Sequence, residues 1–369
     1  MRTAYWAGRM RRLASRPERF ARMSAFFRHY AATRNLRRSE EEMADGLSFV
    51  QSQPAYLILE TGTACNLHCP RCWTGEGRFQ LDRNLLTRGT FDRIVRHLPA
   101  GSLCEASLFN WGEPLLNPDI AHFIRWFSRR GIRTVLHTNF SARDYDGAYL
   151  EALVRSGLTH LAASVDGATQ ASYEKYRVGG NLERVLGNLR RLRETRDRLG
   201  WSSPKIAYKM LLNRFNQGEV EAARSLAGEL GVEFQLQETM GFPSDEARRE
   251  WAADTVKEKY GDKPVPLASA DAAGRIPTEC CQLWNTLVVH ANGDVLPCCQ
   301  VFTRDAHIGN LVETPFRKLW NSEKMRYLRR YVTDPYCPPP DFPNLCARCV
   351  FRYCTYNHLP SRVSPEERE

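Results

Sequence analysis

Three cysteines stand close together early in the chain, in the run Cys65-Asn66-Leu67-His68-Cys69-Pro70-Arg71-Cys72-Trp73. Three residues separate the first pair and two separate the second. Thiolates so spaced can each take one iron of a cubic 4Fe-4S cluster and leave the fourth iron without a protein ligand. An iron left open in this way is where a chelating substrate binds. A structural zinc site wants four closed ligands, and no fourth cysteine lies nearby. His68 is a candidate to complete such a site, but its place immediately before Cys69 is awkward for that. Cys104 reads as a small, buried strand residue.

A second concentration lies at the other end, where eight of the twelve cysteines fall after residue 279. They begin with Cys280 and Cys281, continue with Cys298 and Cys299, then Cys337, and end with Cys346, Cys349 and Cys354. Between the first two pairs, Asn292-Gly293 is a hairpin turn signal joining strands expected at Thr286–His290 and Asp294–Cys298. Such a hairpin brings Cys281 and Cys298 to one end of a strand pair, and a later C-x2-C can close the site. So many cysteines without a disulfide setting point to metal or redox chemistry.

The elements that must carry these residues are legible in the periodicity. Six β-rich runs are expected at Tyr56–Glu60, Cys104–Phe109, Thr134–Thr138, His160–Val165, Lys205–Leu211 and Val232–Gln237. Helical patterns lie between them near 90–98, 119–130, 147–156, 169–198 and 217–230. Gly131, Gly157 and Gly231 each fall just after a helical run, where a left-handed cap is wanted. This alternation predicts an α/β fold: a partial (β/α)6 TIM-type barrel with its chemistry at the strand C-terminal ends. The organisation expected is a basic helical segment at 1–50, the core barrel at 51–245, a linker at 246–279 and a cysteine-rich domain at 280–369.

Charge is distributed unevenly. The net charge of +10 equals that of residues 1–38, which hold eleven arginines and a single acid, Glu18, so the rest of the chain is neutral. Phe20, Met23, Phe26, Phe27 and Tyr30 recur there at helical spacing. The segment reads as a helix packing this stripe on the barrel, or as a basic surface for an anionic membrane or an acidic partner. Nothing in it resembles a nucleic-acid-reading motif. No run approaches the roughly 20 apolar residues of a membrane span. The first 30 residues lack the apolar core of a secretory signal, which makes the cytoplasm the expected compartment.

The C-x3-C-x2-C spacing after the first strand, followed by an aromatic residue, resembles the radical S-adenosylmethionine (SAM) superfamily. Further matches follow in order at successive strand ends. Asn110-Trp111-Gly112-Glu113-Pro114 is similar to the family's Gly-Gly-Glu segment, with Trp111 in place of the first Gly. Thr138-Asn139 ends the third strand, and Ser164-Val165-Asp166-Gly167 is similar to the family's Ser-φ-Asp-Gly motif, with Arg177 about a dozen residues on. The resemblance covers about 55–240. It implies that Cys65, Cys69 and Cys72 hold a 4Fe-4S cluster whose open iron chelates the SAM amino and carboxylate groups. One electron from the reduced cluster then splits SAM into methionine and a 5′-deoxyadenosyl radical, chemistry at the low end of the roughly −700 to +450 mV range of such clusters. It also implies that Gly112 and Glu113 accept from the SAM ammonium, while Ser164 and Arg177 contact its carboxylate or ribose; a guanidinium fork matches two oxygens. Asn213 and Asn216, after the fifth strand, are candidates to face the same cavity.

The spacing Cys281-x11-Gly293-x4-Cys298 resembles the opening of SPASM and twitch domains, which add auxiliary iron–sulfur clusters to radical SAM enzymes. Cys281, Cys298, Cys346 and Cys349 would bind one auxiliary 4Fe-4S cluster, with Cys354 the main competitor for the fourth place and Cys337 a weaker one. Cys280 and Cys299 read as spectators; a zinc ribbon on the same four sulfurs is the plain alternative. No cysteine follows Cys354, which favours one auxiliary cluster over two.

The function implied is a radical SAM enzyme that abstracts hydrogen from a small-molecule or carbohydrate-like substrate, in an oxidation or rearrangement. The alternative is a maturase of ribosomal peptides. Only about fifty residues precede the barrel, without strand signals, which tilts the reading to a small molecule. A flavodoxin- or ferredoxin-type reductant is expected. A reading from another class, a zinc-binding interaction protein with a basic arm, accounts for the cysteines and arginines but not for the ordered strand-end motifs. Glu238 and Asp166 are the candidates for an active-site base.

Overall fold

The structure is a computed structural model that describes residues 17–77, 84–237, 249–255, 258, 280–300, 306–334 and 337. The six expected strands form as β1 (Tyr56–Leu59), β2 (Glu105–Ser107), β3 (Arg133–Thr138), β4 (His160–Ser164), β5 (Lys205–Leu211) and β6 (Glu233–Gln237). All pair in parallel with their chain neighbours, Ile58 opposite Ser107, Ser107 opposite Val135 and Val135 opposite His160. Along each strand, alternate residues face the helices, because successive side chains point to opposite faces. Leu57, Leu59, Leu136, Leu161, Ile206 and Tyr208 form the helix-facing set and are fully or almost fully buried in one core. Each such side chain contributes roughly 1.5–3 kcal/mol by leaving water.

The helices covering that face are α2 (Arg88–His97), α3 (Ile120–Ser128), α4 (Gly147–Arg155), α5 (Gln170–Tyr176), α6 (Leu182–Arg198) and α7 (Val220–Leu230). Thr87, Asp146 and Asn181 cap α2, α4 and α6 by accepting from the backbone N–H groups of Thr90, Tyr149 and Arg184. The three glycines expected at helix ends do take left-handed φ values, +71° at Gly131, +84° at Gly157 and +67° at Gly231. One expectation fails. The pattern over 169–198 is two helices rather than one, broken around Gly179 (φ +83°) and Gly180, where a Cβ would lie 2.5 Å from the Tyr173 hydroxyl. Glycine's freedom wins over the helical periodicity there, and Arg177 sits at the break, at the C-terminal end of α5.

The hairpin also forms, as β7 (Thr286–Val289) and β8 (Asp294–Leu296), with Gly293 at φ +92° and β9 (Gly309–Asn310) beyond it. Its position is the surprise: β7 pairs in parallel with β1, Tyr56 opposite Thr286, so the cysteine-rich segment extends the barrel sheet directly. The nine strands run in the order β6-β5-β4-β3-β2-β1-β7-β8-β9. Helices α8 (Gln282–Asn285), α9 (Phe316–Trp320) and α10 (Glu323–Thr333) complete this region. The fully buried Arg329 of α10 binds it together, donating to the carbonyls of Leu283, Ser48 and Trp320.

The N-terminal helix α1 (Pro17–Ala44) docks through its C-terminal half: Asn35 exchanges hydrogen bonds with Gln53, and Glu42 accepts from Ser52. Of the apolar stripe expected to pack on the barrel, Tyr30 is 60% exposed, and the side chains of Phe20, Met23, Phe26 and Phe27 lie outside the described ones. Among the described residues no helix is long and apolar enough to cross a membrane.

Candidate functional site

Cys65, Cys69 and Cys72 occupy the loop after β1, at the C-terminal ends of the strands. Their side chains share one apolar cluster with Leu67, Tyr176, Leu211 and Trp251. Burial pushes the Cys65 thiol up to about 12, and it also raises Cys69 against the lowering effect of the Arg177 charge. Buried thiols without a cation therefore stay protonated, and bonding to iron is what would relieve that cost. Among the described residues no three His, Cys, Asp or Glu side chains converge as ligands of a single metal ion. His68, the alternative zinc ligand, is exposed.

Close backbone packing builds this loop into the barrel mouth. A Cβ on Gly112 would lie 1.9 Å from the Gly62 carbonyl oxygen, and one on Gly75 would lie 2.5 Å from that of Cys69. Only glycine lets those strands of backbone touch. The Glu113 amide donates to Ala64 at 2.8 Å, tying the loop after β2 to the cysteine loop.

The Glu113 carboxylate is almost fully buried and held by three donors: the Leu115 amide at 3.0 Å, the Thr138 hydroxyl at 2.6 Å and the Asn139 amide at 2.7 Å. A carboxylate has about four acceptor positions, and three are taken here. Burial raises the Glu113 carboxyl above the usual range, against the lowering effect of those hydrogen bonds. Asn139 bridges further, its Nδ2 donating to Asn66 Oδ1 at 2.9 Å and reaching Cys65 Sγ at 3.7 Å.

Arg177, carried to the break after α5, pairs through Nε with Asp166 at 2.5 Å and reaches Cys69 Sγ at 3.7 Å through Nη1. Asp166 sits in the left-handed region (φ +57°) and also accepts from the Leu211 amide at 2.6 Å. Its carboxylate is thus occupied in orienting the guanidinium, which argues against its use as a base. Ser164 ends β4 opposite Lys209 on β5, and both face the barrel interior. Burial pushes the Lys209 ammonium down to about 8, with Asp166 raising it and Arg177 lowering it further. Phe109 and His137 stack on the same face with ring centroids 4.2 Å apart.

Asn213 and Asn216 do something other than face the cavity. Asn216 is fully buried and donates to the carbonyls of Asp166 and Leu211, while its Oδ1 accepts from the Asn213 amide. Both pin the turn after β5. Sequence reasoning missed Glu60, which follows β1, is buried and accepts from the amides of Trp111 at 2.7 Å and Gly112 at 3.3 Å. Burial raises its carboxyl to about 7. A lone acid ending an apolar strand was the available signal. Trp251, in the segment read as a linker, was missed as well.

The second cysteine set lies by the opposite end of β1. Cys281 is the N-cap of α8, and its side chain is close enough to Tyr56 at the start of β1 to act on it electrostatically. Cys298 follows β8 and packs with Val288, Leu296 and Ile58. Cys299 is buried and receives a hydrogen bond from Gln282 Nε2 at 3.3 Å. Cys346, Cys349, Cys354 and Glu238 lie outside the described residues.

Comparison with known proteins agrees with this architecture. Residues 59–202 match the model of the radical SAM superfamily, and residues 280–350 match that of the SPASM iron-sulfur cluster-binding domain. An AdoMet-dependent heme synthase from Methanosarcina barkeri is 24% identical over 339 residues, covering 81% of this chain and 92% of its own. A PqqA peptide cyclase from Gluconobacter oxydans is 25% identical over 288 residues, covering 73% and 77% respectively. Among solved structures, Streptococcus suis SuiB bound to SAM superposes with a TM-score of 0.54 at 18% identity, over 75% of this chain and 68% of that one. The anSMEcpe enzyme with bound SAM gives 0.52 at 14% identity, over 82% and 88%. The two matched segments carry the first thiol triplet, the loop after β2, the end of β4 and the C-terminal hairpin. The chain is a member of the radical SAM superfamily with a C-terminal SPASM domain, a class of enzyme that uses SAM and 4Fe-4S clusters.

Proposed function

We propose that Cys65, Cys69 and Cys72 hold the SAM-cleaving 4Fe-4S cluster and that the enzyme abstracts hydrogen from a small molecule lying in the barrel interior, in an oxidation or rearrangement. The observation that carries this is that all three cysteines pack with one apolar cluster at the strand ends, Cys69 buried and Cys65 and Cys72 half-buried, with Arg177 and Asn139 reaching two of them. When bound, the cluster and SAM supply a 5′-deoxyadenosyl radical that takes a hydrogen atom from an unactivated C–H bond. The protein's own contribution is positional. The fourth acceptor position of Glu113 and the Gly112 backbone receive the SAM ammonium. Arg177, oriented by Asp166, offers its remaining N–H donors, with Ser164 opposite, to the SAM carboxylate or ribose. Leu67, Tyr176 and Leu211 exclude water from the thiols.

At the other end of the sheet, Cys281 and Cys298 with Cys346 and Cys349 bind one auxiliary 4Fe-4S cluster, Cys354 standing as alternative fourth ligand. That cluster can accept the electron left on the substrate, which makes the enzyme oxidoreductase-type. A low-potential cluster calls for a reducing compartment, the cytoplasm, and for a flavodoxin- or ferredoxin-type donor. The small-molecule reading is supported by the likeness to a relative that is a heme synthase by name. The peptide cyclase likeness supports a second reading, modification of a ribosomal peptide.

Anaerobically reconstituted protein, reduced with dithionite, is expected to convert SAM to 5′-deoxyadenosine. The Cys65/Cys69/Cys72 triple alanine variant should lose that reaction while keeping the iron that disappears when Cys281 and Cys298 are also replaced. Retained 5′-deoxyadenosine in the triple variant overturns the ligand assignment. Stimulation of cleavage by the small-molecule fraction of a cell extract, and not by its peptide fraction, selects the first substrate reading.

A further inference from the structure

Trp251 belongs to the segment between barrel and SPASM domain, yet its ring lies in the apolar cluster of Cys65, Cys69 and Cys72 and is only 6% exposed. It meets Tyr176 and Phe215 edge-on, with centroids 5.7 and 5.2 Å apart. The segment around it is fastened at three points. Glu250 pairs with Arg71, inside the cysteine loop itself. The Arg214 amide donates to the Trp251 carbonyl at 3.0 Å. Asp254 and Gln217 exchange two hydrogen bonds of 2.7 Å. The indole is therefore held in place by its own chain, while its N–H is buried with no acceptor among the described residues. A buried donor left unpaired is costly, and an acceptor arriving at a rigidly held one removes that cost. Leu67 and Leu211 offer none, whereas cluster sulfurs do.

We infer that Trp251 is a positioning residue whose indole N–H donates to a sulfur of the cluster held by Cys65, Cys69 and Cys72. The inference rests on that ligand assignment. A hydrogen bond to sulfur favours the reduced, more negative cluster, and such bonds and solvent exposure are among the factors that set cluster potentials. The segment that leads from the barrel to the SPASM domain would thus tune the electron that starts the reaction.

Redox titration followed by EPR tests this on the full-length protein, reading the signal that vanishes in the Cys65/Cys69/Cys72 triple alanine variant. Trp251→Phe keeps the ring and removes the donor. Without SAM, its reduction equilibrium should fall about three- to tenfold, which is about 30–60 mV at about 59 mV per tenfold for one electron. Where that variant loads no iron, Glu250→Gln, which weakens the Arg71 pair and keeps the indole, should move the potential the same way by less. An unchanged potential with the signal present overturns the inference and leaves the cysteine assignment standing. A shift seen only with SAM bound places the acceptor on SAM and also overturns it. If no signal depends on the triplet, the assignment itself fails.

Discussion

The contact between Gly112 and Gly62 makes the most direct test of how the barrel mouth is built. In Gly112→Ala the new Cβ would stand 1.9 Å from the Gly62 carbonyl oxygen and 2.9 Å from that of Ala64, where ordinary contact begins at 3.4 Å. Both obstacles are backbone, so no side chain can swing aside, and the two loops must part by about 1.5 Å. That movement stretches the 2.8 Å bond from the Glu113 amide to Ala64 beyond hydrogen-bonding range and draws Glu113 away from Thr138 and Asn139. Overpacking costs about 1–3 kcal/mol and the lost bond about 1 kcal/mol more, within the about 5–15 kcal/mol stability of a typical domain. The variant should therefore fold, melt several degrees lower, and cleave SAM about a hundredfold more slowly, the penalty expected for an ångström-scale misplacement. Melting curves and anaerobic assay of 5′-deoxyadenosine, with iron measured alongside, decide the matter. A Gly112→Ala protein with wild-type melting and SAM cleavage within twofold of wild type would refute the argument.

Two further outcomes follow from buried charge. Glu60 titrates near 7 in the folded protein against 4.5 ordinarily, so between those values the folded state holds a proton that the unfolded state has released. Stability then falls as pH rises from about 4.5 to 7, by at most about 3 kcal/mol, and changes no further from this group above 7. Urea unfolding at pH 5 and pH 8 should show the wild type losing stability relative to Glu60→Gln over that interval; parallel curves would disprove it. Arg329→Met leaves the carbonyls of Ser48, Leu283 and Trp320 without their buried donor, so it should destabilise the protein by about 3 kcal/mol or more. A denaturation midpoint equal to that of the wild type would show that the region does not depend on that guanidinium.

Much of this protein can be read from its residues in order. The cysteine triplet and the Gly112-Glu113 turn lie in the loops that follow β1 and β2, Ser164 ends β4, and strand alternation assigns the faces, so local order is enough to line them up at one end of a sheet. What spacing does not carry is which distant segments touch. The helix expected over 169–198 breaks because Gly180 must pass against the Tyr173 hydroxyl, and that break swings Arg177 towards Asp166 and Cys69. Asn216 looked available to a cavity, yet it satisfies the carbonyls of Asp166 and Leu211 across the turn. Donor types, their order and the parallel α/β plan are properties of short stretches of chain, and the sequence determined them. The docking of β7 on β1, the clasp of Glu250 on Arg71 and the burial of Trp251 against the cysteines join segments up to about 230 residues apart, and only the tertiary structure decided them. Such contacts are selected by the apolar area they bury together, a quantity that no single segment contains.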